Sequence, residues 1–155
     1  MRTGCYCLIF ANSAAALEIG SLGPIAFRAG YHVYIGSALG PGGLSRVKRH
    51  IRLERIQDRR PHWHVDRLLL DPRFRLSAVV TAETCERLEC TLARAIAGDA
   101  VAKFGASDCR CGSHLLFRPE DPVDEVVTSF NAIGLVPAVL RASDIEKAMV
   151  TGEED

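Results

Sequence analysis

The sequence predicts an α/β domain of the α+β kind, with a small central, mainly antiparallel β-sheet flanked by helices. Three observations carry this. Residues 3–10 alternate, placing Tyr6, Leu8 and Phe10 on one face and Cys5, Cys7 and Ile9 on the other. Two more apolar runs, 15–19 and 24–27, flank a glycine-bounded turn and predict a hairpin. From Leu44 the apolar period becomes helical, and a second helical pattern covers 82–97.

After the first strand and the hairpin, residues 31–36 carry the aromatic and β-branched side chains that suit a pleated surface. They predict a strand, and Tyr6 and Tyr34 are expected on neighbouring strands. Gly36, Gly40, Pro41, Gly42 and Gly43 end it in a turn. Leu44, Val47 and Ile51 set the stripe of a basic helix over 44–57, limited by Pro61. Arg46 and His50 lie four apart, hence on one face beside that stripe. Residues 62–70 are compatible with either helix or strand. A strand over 75–80 follows, then the helix over 82–97, with Thr81 as N-cap and Gly98 as its stop. Residues 103–112 read as a loop and 114–117 as a last strand. The stretch 119–122, with a proline at each end, reads as a linker between a main domain, 1–118, and an extension, 119–155, of short helices with an acidic tail.

A chain of 155 residues is long enough for one domain with a real core. Basic and acidic residues balance at 19 each, so net charge neither supports nor excludes a polyanionic partner. Their distribution says more. Arg46, Lys48, Arg49, Arg52, Arg55, Arg59 and Arg60 face only Glu54 and Asp58 between residues 46 and 60. That density is compatible with local phosphate contact, and equally with a solvated helix face. No apolar run of about 18 residues is present, which predicts no membrane span. No secretory leader is evident at the N-terminus, so the six cysteines are expected as reduced thiols in a cytoplasmic protein. The sequence lacks a P-loop, a dinucleotide fingerprint and a serine elbow.

Four constellations carry chemistry. The glycine-rich turn brings Tyr34 near Arg46 and His50, a layout suited to holding a phosphate and acting on it. On the helix over 82–97, Cys85, Leu88, Leu92, Ala95 and Ile96 form the inward stripe. Glu89 falls inside that arc, with Glu86 at its rim and Glu83 pointing away. A carboxylate there is costly unless it pairs with an arginine or binds a cation. Finally, Cys109, Cys111 and His114 offer three soft ligands, an incomplete set for structural zinc. His62, His64 and Asp66 would share one side if their segment is a strand, and would spread apart if it is a helix. Trp63 and residues 68–70 read as core filling, as does Cys85.

The ordered series Gly4, Cys5, Tyr6, then Tyr34, Ile35, Gly36, then Arg46 and His50 resembles the GIY-YIG nuclease superfamily. The run 34–44, with Trp63, His64, Val65 and Asp66 and the block 104–114, is similar to its Uri-type endonuclease branch. The resemblance spans residues 4–117. It implies a metal-dependent DNA endonuclease that hydrolyses phosphodiesters with Tyr6, Tyr34, Arg46, His50 and Glu89. Glu89 would bind one Mg2+ or Mn2+ ion. Gly36, Ser37, Lys48 and Arg49 would contact the substrate, and a neighbouring cation would have to lower the pKa of a phenol acting as base. The superfamily usually carries a late asparagine. Asn131 lies too far on to match, and Ser107, Asp108 or His114 would have to substitute. Two other readings fit the residues: a non-cleaving nucleic-acid-binding module, and a zinc-dependent hydrolase or interaction protein using His62, His64, Cys109, Cys111 and His114.

Overall fold

A computed structural model describes residues 2–104 and 112–145. Its centre is strand β1 (Gly4–Asn12), which the alternating sequence buries on both faces. β1 pairs antiparallel with β4 (Gly30–Ala38) on one side and with β5 (Phe74–Glu83) on the other. β6 (Leu115–Arg118) extends the β4 side and β7 (Ala138–Arg141) the β5 side, giving the order β6-β4-β1-β5-β7 with every pairing antiparallel. The expected hairpin forms a separate two-stranded ribbon, β2 (Ala15–Glu18) with β3 (Pro24–Phe27).

Helices cover both faces. On one, Val47, Ile51 and Leu53 of α1 (Ser45–Ile56) and Leu68 and Leu69 of α2 (Asp66–Leu69) pack on Tyr6, Leu8 and Phe10. On the other, Leu92 and Ile96 of α3 (Glu89–Ile96) and Val126 and Phe130 of α4 (Val123–Ala132) pack on Cys5, Cys7 and Ile9. A β-bulge lets both cores form. The β1–β5 register slips between Ile9 and Phe10, leaving Ser77 unmatched. The extra residue reverses the alternation of β5. Leu76 and Val79 therefore join one core, and Ala78 and Val80 the other.

The expected helix over 82–97 is corrected. β5 continues to Glu83, because β1 is paired along its whole length down to Gly4 opposite Glu83. Thr81 sits inside this strand, between Tyr6 of β1 and Ala138 of β7, and caps nothing. The helix starts at Glu89, after a turn in which Thr84 Oγ1 accepts a hydrogen bond from the Glu86 amide. Glu83, Glu86 and Cys85 therefore lie outside it, and Cys85 is exposed rather than core. Ala95 is exposed too. The inward arc of α3 is Glu89, Leu92, Ala93 and Ile96. Residues 62–70 resolve as a turn followed by α2, so the strand that would have aligned His62, His64 and Asp66 is absent. The segment after 119 is not wholly helical either, since α4 is followed by the edge strand β7. Among the described residues, no helix is long and apolar enough to cross a membrane.

Candidate functional site

The site is built where β1, the end of β4 and the start of α1 meet. Tyr6 points from β1 toward α1, 2 % exposed, and its Oη lies 2.8 Å from Nε2 of His50, itself 1 % exposed. Gly36 faces Tyr6 in the β1–β4 register. A Cβ at that position would run into the Tyr6 ring, so glycine is what lets the phenol lie across β4 toward the helix. Tyr34, one step along the same face, is half-buried and stacks edge-on against Phe104. Arg46, one turn before His50, donates from Nη1 to the Ser37 carbonyl at 2.8 Å, which ties the helix start to the end of β4.

Three side chains of this cluster are neutral near pH 7. Burial pushes the Tyr6 phenol far above its ordinary value and Tyr34 beside it adds to the rise, against which the Arg46 guanidinium only partly works. Tyr34 is pushed up to about 12, again chiefly by burial, with Arg46 opposing and the Asp66 and Glu89 charges adding. The expectation that a cation holds a phenol below its usual pKa is therefore corrected: desolvation wins over Arg46 at both tyrosines. His50 is lowered to about 4, mainly by burial, with Arg49 and Arg46 adding to the drop and Asp66 opposing it. If the phenol donates to Nε2, the proton of His50 sits on Nδ1, which is buried with no hydrogen-bond partner among the described residues.

His32, also 1 % exposed, is lowered to about 4 by burial and by Arg28. A pH effect on stability follows. Both imidazoles have folded values below the ordinary 6.5, so the unfolded chain takes up protons first as pH falls. Stability should be intact above pH 6.5 and decline toward pH 4, by up to roughly 3 kcal/mol per histidine. Urea-unfolding midpoints measured from about pH 7.5 to about pH 4.5 check this; a flat profile contradicts it.

Glu89 arrives from the other layer. It is the first residue of α3, where a negative charge meets the helix dipole favourably, and it is 7 % exposed. Oε1 accepts from Arg87 Nη1 at 3.1 Å, whereas Oε2 is buried with no partner among the described residues. Its charge reaches both sheet faces, adding to the rise that burial chiefly imposes on Tyr34 on one and Cys5 on the other. Ser37, opposite Cys5 in the β1–β4 register, has an Oγ that is likewise buried and unpartnered among the described residues. A hard cation with a coordination shell largely of water and substrate oxygens suits such a carboxylate oxygen. The ion pair that is the alternative to a cation is present in weak form, with Arg87 largely exposed and close to Glu89 in the chain.

The remaining residues divide differently from expectation. Asp66 is fully buried on α2; burial works to raise its pKa, but Arg49 and the amides of His62 and Trp63 outweigh that and hold it below the usual carboxylate range. It accepts both guanidinium nitrogens of Arg49 at 3.2 and 3.1 Å. This fork fixes Arg49 against Trp63, 4.4 Å from the ring centroid, with the Arg46 guanidinium at 5.1 Å. Trp63 is 36 % exposed, so its reading as core filling is corrected, and it is the residue that sequence reasoning misses. Lys48 is two residues from Arg46, about 200° round the helix, and stands away from the cluster. His64 turns toward Ser21 and Phe104, and His114 lies 3.5 Å from the Cys90 thiol. His62 packs on Trp63. Among the described residues, no three metal-ligating side chains of this kind gather. Cys109, Cys111, Ser107 and Asp108 lie outside the described residues. Asn131 is exposed on α4.

No curated protein and no solved structure matches the chain. A family model described as a domain of unknown function, DUF123, matches residues 5–135, a span holding Tyr6, Tyr34, Arg46, His50 and Glu89. The chain therefore belongs to the DUF123 family.

Proposed function

We propose that this chain is a metal-dependent endonuclease of the GIY-YIG type that hydrolyses phosphodiester bonds in DNA. The 2.8 Å contact between Tyr6 and His50, beside Arg46, carries the reading. It joins, in one buried cluster, residues whose order along the chain resembles the nuclease signature.

Hydrolysis requires an oriented water, compensation of phosphoryl charge and help for the leaving oxygen. The Arg46 guanidinium grips a phosphoryl oxygen. The Gly36 and Ser37 backbone and the Ser37 hydroxyl offer further polar contacts to the phosphate. Neither phenol is a standing base, so the proton moves as a handover: water gives its proton to Tyr6 Oη as Tyr6 passes its own to His50 Nε2. Glu89 Oε2 is the residue atom that would hold Mg2+ or Mn2+, which supplies Lewis-acid stabilisation of the phosphoryl group and leaving oxygen when bound. Incubating the purified chain with supercoiled and linear DNA and Mg2+ tests the reading. Nicking that chelator abolishes is the expected result; binding with every phosphodiester left intact would make the chain a non-cleaving module.

A further inference from the structure

We infer that Trp63 is a stacking platform for an unpaired nucleobase, so that the DNA this site takes is single-stranded or locally opened beside the scissile phosphate. The inference rests on the nuclease reading for the identity of the polymer, and on separate geometry for the state of its bases. A tryptophan of this size is normally well buried, and more than a third of this one is open to solvent. It is also held in place. Asp66, fully buried, fixes the Arg49 guanidinium against the indole and accepts the Trp63 amide at 2.9 Å. The Arg46 guanidinium lies 5.1 Å from the ring centroid.

The ring is close to the proposed chemistry. The His50 ring is 5.8 Å from Trp63 and 5.5 Å from Tyr6. A base lying on Trp63 thus belongs to a nucleotide near the phosphate held by Arg46. An exposed indole among arginines matches how single strands are bound, with cations on the backbone and bases on aromatic faces. A base inside a duplex already has both faces covered and cannot offer one to the indole.

The chain has one tryptophan, so its intrinsic indole fluorescence reports on this ring alone. The experiment titrates the full chain, in chelator to prevent turnover, with a single-stranded oligonucleotide, its duplex, and an abasic strand of equal phosphate count. Quenching by the base-bearing strand, and markedly less by the abasic strand and the duplex, is the expected result. In a parallel anisotropy titration, Trp63→Ala should weaken single-strand binding about 10-fold, and Trp63→Phe should retain most of it. Equal quenching by all three ligands, no quenching at all, or unchanged affinity in Trp63→Ala would overturn the inference. Base-dependent quenching without cleavage when Mg2+ is restored sinks only the nuclease reading. Cleavage without base-dependent quenching sinks only this one.

Discussion

Glu89→Gln is expected to lower metal-dependent DNA cleavage by about 100- to 1000-fold, the range typical for removing a principal source of transition-state charge stabilisation. The fold should survive. Glutamine keeps the shape, and neutralising a buried carboxylate whose Oε2 has no partner among the described residues removes a desolvation cost. The substitution gives up an ion pair to a largely exposed arginine, which contributes little. Stability should therefore hold or rise while activity collapses. Thermal unfolding and a plasmid-nicking assay on the same preparations measure both. A destabilised variant that still cleaves at the original rate would show Glu89 to be a packing residue with a salt bridge.

Tyr6→Phe should give a different pairing of effects, with both stability and activity falling. Removing Oη leaves Nε2 of the buried His50 without its hydrogen bond, and Nδ1 already lacks one among the described residues. An imidazole with no hydrogen-bond partner at either nitrogen should cost about 1–3 kcal/mol. Part of this is recovered by no longer burying a phenol. Cleavage should drop by about 100- to 10,000-fold, the usual worth of a positioned proton-transfer group. Tyr34→Phe is the control, since it leaves the Tyr6–His50 bond in place. Undiminished nicking by Tyr6→Phe would remove the phenol–imidazole pair from the mechanism.

Local patterns in the sequence locate most of the site. The two-residue alternation of β1 and the four-residue spacing of Arg46 and His50 are carried by neighbouring residues, and both match the structure. Glu89 is legible as a carboxylate on an inward helical arc, even though the helical pattern runs back to residue 82 and the helix itself begins at Glu89. That difference has a non-local cause. Residues 82 and 83 belong to β5 because Cys5 and Gly4, far away in the chain, need partners. Helical propensity in 82–88 yields to the pairing of a central strand. The same lack of local signal hides the bulge at Ser77, β7 at the sheet edge, and the exposure of Trp63. Indole is apolar enough to read as core, whereas the structure leaves it partly exposed beside Arg49, whose guanidinium is held by Asp66 of another helix. The phenol pKa values escape the sequence because proximity to Arg46 is legible in spacing and depth of burial is not.

The two-sided sheet has one more implication. The phenols and the imidazole belong to one stratum of the molecule, and the acid is carried by a helix seated on the other. On the proposed mechanism, alignment of the reacting groups depends on how α3 is seated, and its buried apolar side chains Leu92, Ala93 and Ile96 are anchored in the stratum that lacks α1. If the chain cleaves DNA as proposed, a lesion that merely loosened that seat, at Leu92 or Ile96, would disarm it while leaving the Tyr6–His50 half fully assembled, and spectroscopic probes of the lone indole would register nothing amiss.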